Sequence, residues 1–222
     1  MARRECEKDG RMRPAIFALL MLVGLAGCLP VSQNPLSSPE DAAADSRLPG
    51  VWYGRSGEDT IYLHFVAGKG AQMDAVEVDH QKDGDAHTNI YTVFPSVLGA
   101  GHYLNIREKA GAEKPYYFAR YRIADSGALT IWLMGETPAA KAVKNKKIAG
   151  KITTKDSGGG KAERDITLTA SSEELAAFVR KSDPEILFGE KFGTFKKLVL
   201  PSLDDTGTPA HSGKRKKKSS EE

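Results

Sequence analysis

The chain has 222 residues, 40% hydrophobic, and a formal net charge of +3 at pH 7, a length that fits one compact domain plus tails. The positive charge gathers at the two ends, in Arg3, Arg4, Lys8, Arg11 and Arg13 and again in Lys214-Arg215-Lys216-Lys217-Lys218, so the body between them is close to neutral and not a basic nucleic-acid binder. Its two cysteines, Cys6 and Cys28, both precede the body, which excludes a disulfide framework, a thiolate metal site and a cysteine nucleophile within it.

The first element is an apolar run from Ala15 to Gly27, preceded by Arg11 and Arg13 and closed by the small residues Ala26 and Gly27. Basic start, apolar stretch and small residues in that order predict a secretory signal peptide, and the run is shorter than the roughly 20 residues of a transmembrane helix. Met12 is an alternative start, because the residues before it carry both signs of charge. The ending Leu25-Ala26-Gly27-Cys28 resembles the lipobox of bacterial lipoproteins. That resemblance implies cleavage before Cys28, a diacylglycerol on its thiol and acylation (such as palmitate) of its new amine. Each buried methylene of such chains contributes about 0.8 kcal/mol, so two or more hold a protein on a bilayer. Leu29, where an Asp often marks inner-membrane retention, implies by the same family analogy the periplasmic face of the outer membrane.

The predicted organisation is a signal peptide over 1–27, a flexible Pro/Ser/Ala/Asp-rich tether over 28–49, one β-rich globular domain over 50–203 and a disordered basic tail over 204–222. From Val51 to Met134 the hydrophobic period is two. Strands are expected around Ile61–Phe65, Ala71–Asp79, Thr88–Phe94, Tyr103–Arg107, Tyr116–Ile123 and Leu129–Met134. In the second of these, Val76 and Val78 are expected on one face and Glu77 and Asp79 on the other. Breaks such as Gly68-Lys69-Gly70, Gly99-Ala100-Gly101 and Asp125-Ser126-Gly127 leave gaps too short for parallel crossovers, so the strands are read as antiparallel.

Further on, Pro138 to Lys147 suits a short amphipathic helix, Ile148–Thr154 and Asp165–Ala170 read as strands, and Ser171 with Glu174 three residues later makes a capping box for a helix to Lys181. Asp183-Pro184-Glu185 starts one more turn, and Phe192 to Leu200 is a last strand or packed extended segment. The expected fold is mainly β within an α+β pattern: an antiparallel meander forming a barrel or strongly curved sheet, with two short helices in the second half. The opening Gly50-Val51-Trp52 resembles the Gly-x-Trp start of lipocalin-type barrels, which implies that Trp52 plugs a closed end.

No constellation in the body names a reaction. The five histidines are scattered, although Asp79, His80 and His87 flank a turn across which they could meet; no metal and no cofactor are expected. Ser56 lacks a Gly-x-Ser-x-Gly frame, and Ser157-Gly158-Gly159-Gly160-Lys161 lacks Walker spacing. The densest unusual stretch is Tyr116 to Arg122. Tyr117 and Tyr121 share one face, Arg120 and Arg122 the other, and with Trp52 these form the expected ligand-binding or partner-binding set. The expected function is non-enzymatic: a lipid-anchored envelope protein, held through Cys28, whose domain binds a protein partner or a small apolar ligand. The alternatives are a structural or assembly accessory without a ligand and, last, a hydrolase with its site assembled from distant strands.

Overall fold

The computed structural model describes residues 29–81, 84–109, 114–156 and 162–199. The expected signal peptide, Cys28 and the expected disordered basic tail lie outside the described residues.

Eight strands close into an antiparallel barrel: β2 (Gly50–Ser56), β3 (Asp59–Ala67), β4 (Met73–His80), β5 (Ala86–Leu98), β6 (Gly101–Glu108), β7 (Tyr116–Ile123), β8 (Leu129–Leu133) and β11 (Glu190–Lys197). Consecutive strands from β2 to β8 are hairpin neighbours, and β11 closes the ring by pairing with both β8 and β2. Positive φ at the turns makes the hairpins tight; Gly99, at φ +63, stands between β5 and β6 where a Cβ would be strained. The remaining strands, β1 (Val31–Ser32), β9 (Gly150–Asp156) and β10 (Ala162–Leu168), form a flap joined to the barrel where Ser32 pairs with Tyr116.

The period of two sorts side chains into two cores, one on each side of the barrel wall. Inside lie Trp52, Ile61, Leu63, Phe65, Met73, Val93, Leu104, Ala119, Tyr121, Leu129, Ile131 and Phe195. Outside, Phe94, Leu98, Tyr103, Tyr116 and Phe118 of β5, β6 and β7 pack under α1 (Glu136–Lys144), α2 (Ser172–Lys181) and α3 (Pro184–Leu187). The helix at Ser171 begins as its sequence requires, with the Ser171 side chain accepting from the Glu174 N–H and Glu174 reaching back to the Ser171 N–H. Among the described residues three short helices are present, the third being the turn at Pro184.

One expectation changes. Residues 29–49 are not a free leash, because they are bound along the barrel. Leu36 and Leu48 are fully buried, the Leu36 N–H donates to Asn105 Oδ1 at 2.7 Å, and the Ser37 and Ser96 hydroxyls meet at 2.6 Å. The segment lacks periodicity because it is held by scattered anchor points rather than by one face of a helix or strand. On β4, the inward residues are Met73, Ala75, Glu77 and Asp79, while Val76 and Val78 face outward. Met73 and Ala75 share the phase of the two acids, and their apolar contacts inside the barrel set the register for the whole strand. Among the described residues no helix is long and apolar enough to cross a membrane.

Candidate functional site

Strand β7 divides the expected site residues between the two sides of the wall. Tyr121 points inward, and its hydroxyl donates to Asp45 Oδ2 at 3.0 Å. Asp45 is gripped in turn by Arg47, with Nη2 2.7 Å and Nε 2.9 Å from its two oxygens. The Arg47 guanidinium draws the Asp45 carboxyl down to about 2 against the opposing effect of burial. Burial, then the Asp45 charge, raises the Tyr121 phenol above its ordinary value. Trp52 fills the same interior near one barrel end, its Nε1–H donating to the Leu48 carbonyl at 2.8 Å. The Lys197 ammonium lies 5.2 Å from its ring centre. Trp52, Tyr121 and Phe195 are thus buried members of the interior core. Tyr117 is inward and half-buried, near the opposite end.

Arg120 and Arg122 lie on the outer side. Arg120 donates to Glu185 Oε1 at 2.6 Å, and both guanidinium groups approach the Trp132 ring, at 5.3 and 5.9 Å. The cross-strand register extends this pair into rows around the barrel. One row runs Arg122, Thr130, Thr194, Arg55, Thr60 across β7, β8, β11, β2 and β3; a second runs Lys196, Tyr53, Tyr62. A bulge in β11 between Lys191 and Gly193 breaks the ladder beside Trp132. Here a shallow open cleft of about 670 Å³ is lined by Tyr53, Arg55, Lys191, Phe192, Thr194 and Lys196 among others. Arg55, Arg122, Lys191 and Lys196 are exposed, as are Tyr53 and Tyr62, so this side presents cations interleaved with aromatic rings.

Glu77 and Asp79, on the β4 face opposite Val76 and Val78, are buried inside the barrel. Glu77 Oε2 accepts from the Tyr91 hydroxyl at 3.2 Å and from Asn89 Nδ2 at 3.4 Å. Burial is the main cause of a raised Glu77 carboxyl, partly opposed by those two donors. Asp79 is raised chiefly by burial, with Asp59 adding to the effect and His87 and His80 opposing it. Tyr91 is raised by burial and by the Glu77 charge. The signal for this cluster was the shared phase of Met73, Ala75, Glu77 and Asp79. Asp79 does face His87 across the hairpin, whereas His80 pairs with Ala86, and the described residues contain no group of three acids or histidines placed to hold a metal ion.

Compared with known proteins, the chain matches no protein family, no curated protein and no solved structure.

Proposed function

We propose that this chain is a non-enzymatic, lipid-anchored protein of the bacterial cell envelope that binds an acidic protein partner on the uncovered outer side of its barrel. The observation that carries the docking reading is the pair of outward rows, Arg122–Thr130–Thr194–Arg55–Thr60 and Lys196–Tyr53–Tyr62. Arginine and aromatic side chains are enriched where proteins bind one another, because they combine large contact area with charged hydrogen bonding. The second core, under the helices, covers β5 to β7 and leaves these rows open. A small apolar ligand is the less favoured occupant, since Trp52, Tyr121, Phe195 and Leu104 are packed into one buried cluster in the interior. Support for a lipocalin-like architecture comes from the Gly50-Val51-Trp52 start and the place of Trp52 at one barrel end.

The anchoring rests on Leu25-Ala26-Gly27-Cys28 and gains a geometric consequence from the bound segment. Only Leu29 and Pro30 separate Cys28 from β1, so at about 3.3 Å per residue an acylated Cys28 would keep the barrel within about 10 Å of its attachment point. The partner would accordingly lie at the membrane surface, on the periplasmic side of the outer membrane by the lipobox analogy.

Two experiments test anchor and docking separately. Cys28→Ser should move the protein from the membrane fraction to the soluble fraction, and retention in the membrane would refute the lipid anchor. A photo-crosslinker at Tyr53 should form an adduct in intact cells that disappears in the Arg55→Glu, Arg122→Glu, Lys196→Glu triple variant while its melting temperature holds. An adduct indifferent to charge reversal would refute the docking face.

A further inference from the structure

The barrel interior changes character along its axis. Around Trp52, Phe65, Leu104 and Phe195 it is apolar, but toward the end where β4 stops and β5 starts the inward residues become Glu77, Asp79, Asn89 and Tyr91. Glu77 is 4% exposed and Asp79 5%. Both donors that reach Glu77 act on the same oxygen, Oε2. Asp79 Oδ1 is buried with no hydrogen-bond partner. A carboxylate oxygen withdrawn from water and given no donor is costly, and proteins rarely keep one without using it. Among the described residues no lysine or arginine pairs with Glu77 or Asp79. The other titratable groups acting on them are Asp59 from β3, His80 at the end of β4 and His87 from β5 on Asp79, and Tyr91 from β5 on Glu77; Tyr91 in turn meets Glu108 from β6, which is paired with Lys114 at 3.1 Å, and Tyr117 from β7.

We propose that this end of the barrel binds an alkylammonium ion, whose N–H groups supply the donor that Asp79 lacks and whose charge offsets Glu77 and Asp79. An ammonium needs acceptors alone, and two carboxylates two positions apart on one strand face present them side by side. A metal ion would need three or more closely placed ligands, which the described residues do not assemble. Immediately deeper is the Ala75–Tyr91 pair, and with it begins the apolar interior against which a short alkyl stem can lie. The ammonium can come from a free small amine or from the tip of a lysine side chain, and the probes below separate the two. The site is independent of the outer arginine rows.

Titration calorimetry of the detergent-solubilised full chain with n-butylamine, Nα-acetyl-lysine amide, n-butanol and magnesium chloride tests it. Saturable binding of n-butylamine at millimolar concentration or tighter is expected, with none of n-butanol, which has the stem without the charge. Affinity should increase with pH as the two carboxyls lose their protons, because the ammonium pairs with the ionised form. Asp79→Asn and Glu77→Gln should each weaken binding about tenfold or more. Both are near-isosteric, and Asp79→Asn should melt at or above the wild-type temperature at pH 7 because it removes an unpaired buried charge. Binding of both amines extends the site to lysine side chains, and binding of n-butylamine alone restricts it to free amines. Binding undiminished in folded Asp79→Asn, equal binding of n-butanol, or saturation by magnesium without a response to n-butylamine would each overturn the proposal.

Discussion

Asn105 is the side chain on which the N-terminal segment hangs. It lies on the outer face of β6 with no exposed surface, accepts from the Leu36 N–H through Oδ1, and donates through Nδ2 to the Phe94 carbonyl at 3.2 Å and to Ser96 Oγ at 2.8 Å. Three partners for one buried amide are close to its full capacity, and losing it leaves a buried donor and acceptor unmatched. Asn105→Ala should therefore cost about 2–3 kcal/mol in denaturant unfolding. The Leu36 amide, whose acceptor is gone, should lose hydrogen-exchange protection ahead of the barrel strands. No feature of the local sequence announces this role. Asn105 stands between Leu104 and Ile106 in an alternating strand and reads as a solvent-facing polar residue until the segment 29–49 is laid over it. Tyr121 and Arg122 show the converse. The alternation that placed them on opposite faces was legible, but whether the outward face met water or a helix was decided by neighbours distant in sequence.

Among the elements, the closing contact between β2 and β11 carries the tightest local requirement. Gly54 pairs with Phe195, and a Cβ built at Gly54 would run into the Thr194 carbonyl oxygen and stand 2.8 Å from Phe195 Cδ1. The first of these neighbours is backbone and cannot swing aside, so a methyl group there pushes the closing strand away from its partner. Gly54→Ala should cost about 1–3 kcal/mol and lower the melting temperature, with protection lost first along β2 and β11 in hydrogen exchange. The helix at Ser171 was readable residue by residue, since Ser171 and Glu174 satisfy each other's backbone groups within one turn. The β4 register was not readable from its valines. Val76 and Val78 look like core residues and Glu77 and Asp79 like surface residues, yet Met73 and Ala75 at the start of the strand carry the opposite phase into the interior. A strand has only two choices of face, so an error at one position inverts every position. The candidate amine site therefore came into view only once the inward face of β4 was known.

At the scale of the whole molecule, the barrel and its N-terminal segment form one folding unit. Leu36 and Leu48 are buried, one in the outer core and one at the Trp52 end of the interior, and Asp45 receives the Tyr121 hydroxyl. A chain starting at Gly50 exposes both cores and strips away two leucines, each contributing about 1.5–3 kcal/mol when fully buried. It should unfold at clearly lower denaturant concentration than a chain starting at Leu29, and equal midpoints would show the segment to be dispensable. The sequence by itself determined the strands, their antiparallel order and the helix caps, because hairpin turns, two-residue periodicity and capping are written in neighbouring residues. The expectation of a lipid anchor arose in the same local way, from the four adjacent residues Leu25-Ala26-Gly27-Cys28. Only the tertiary structure decided that the meander closes through β11, that residues 29–49 belong to the fold, and that two acids turn inward. Each of those depends on contacts between segments far apart in the chain, where burial of one partner is set by the position of the other rather than by anything in its own neighbourhood.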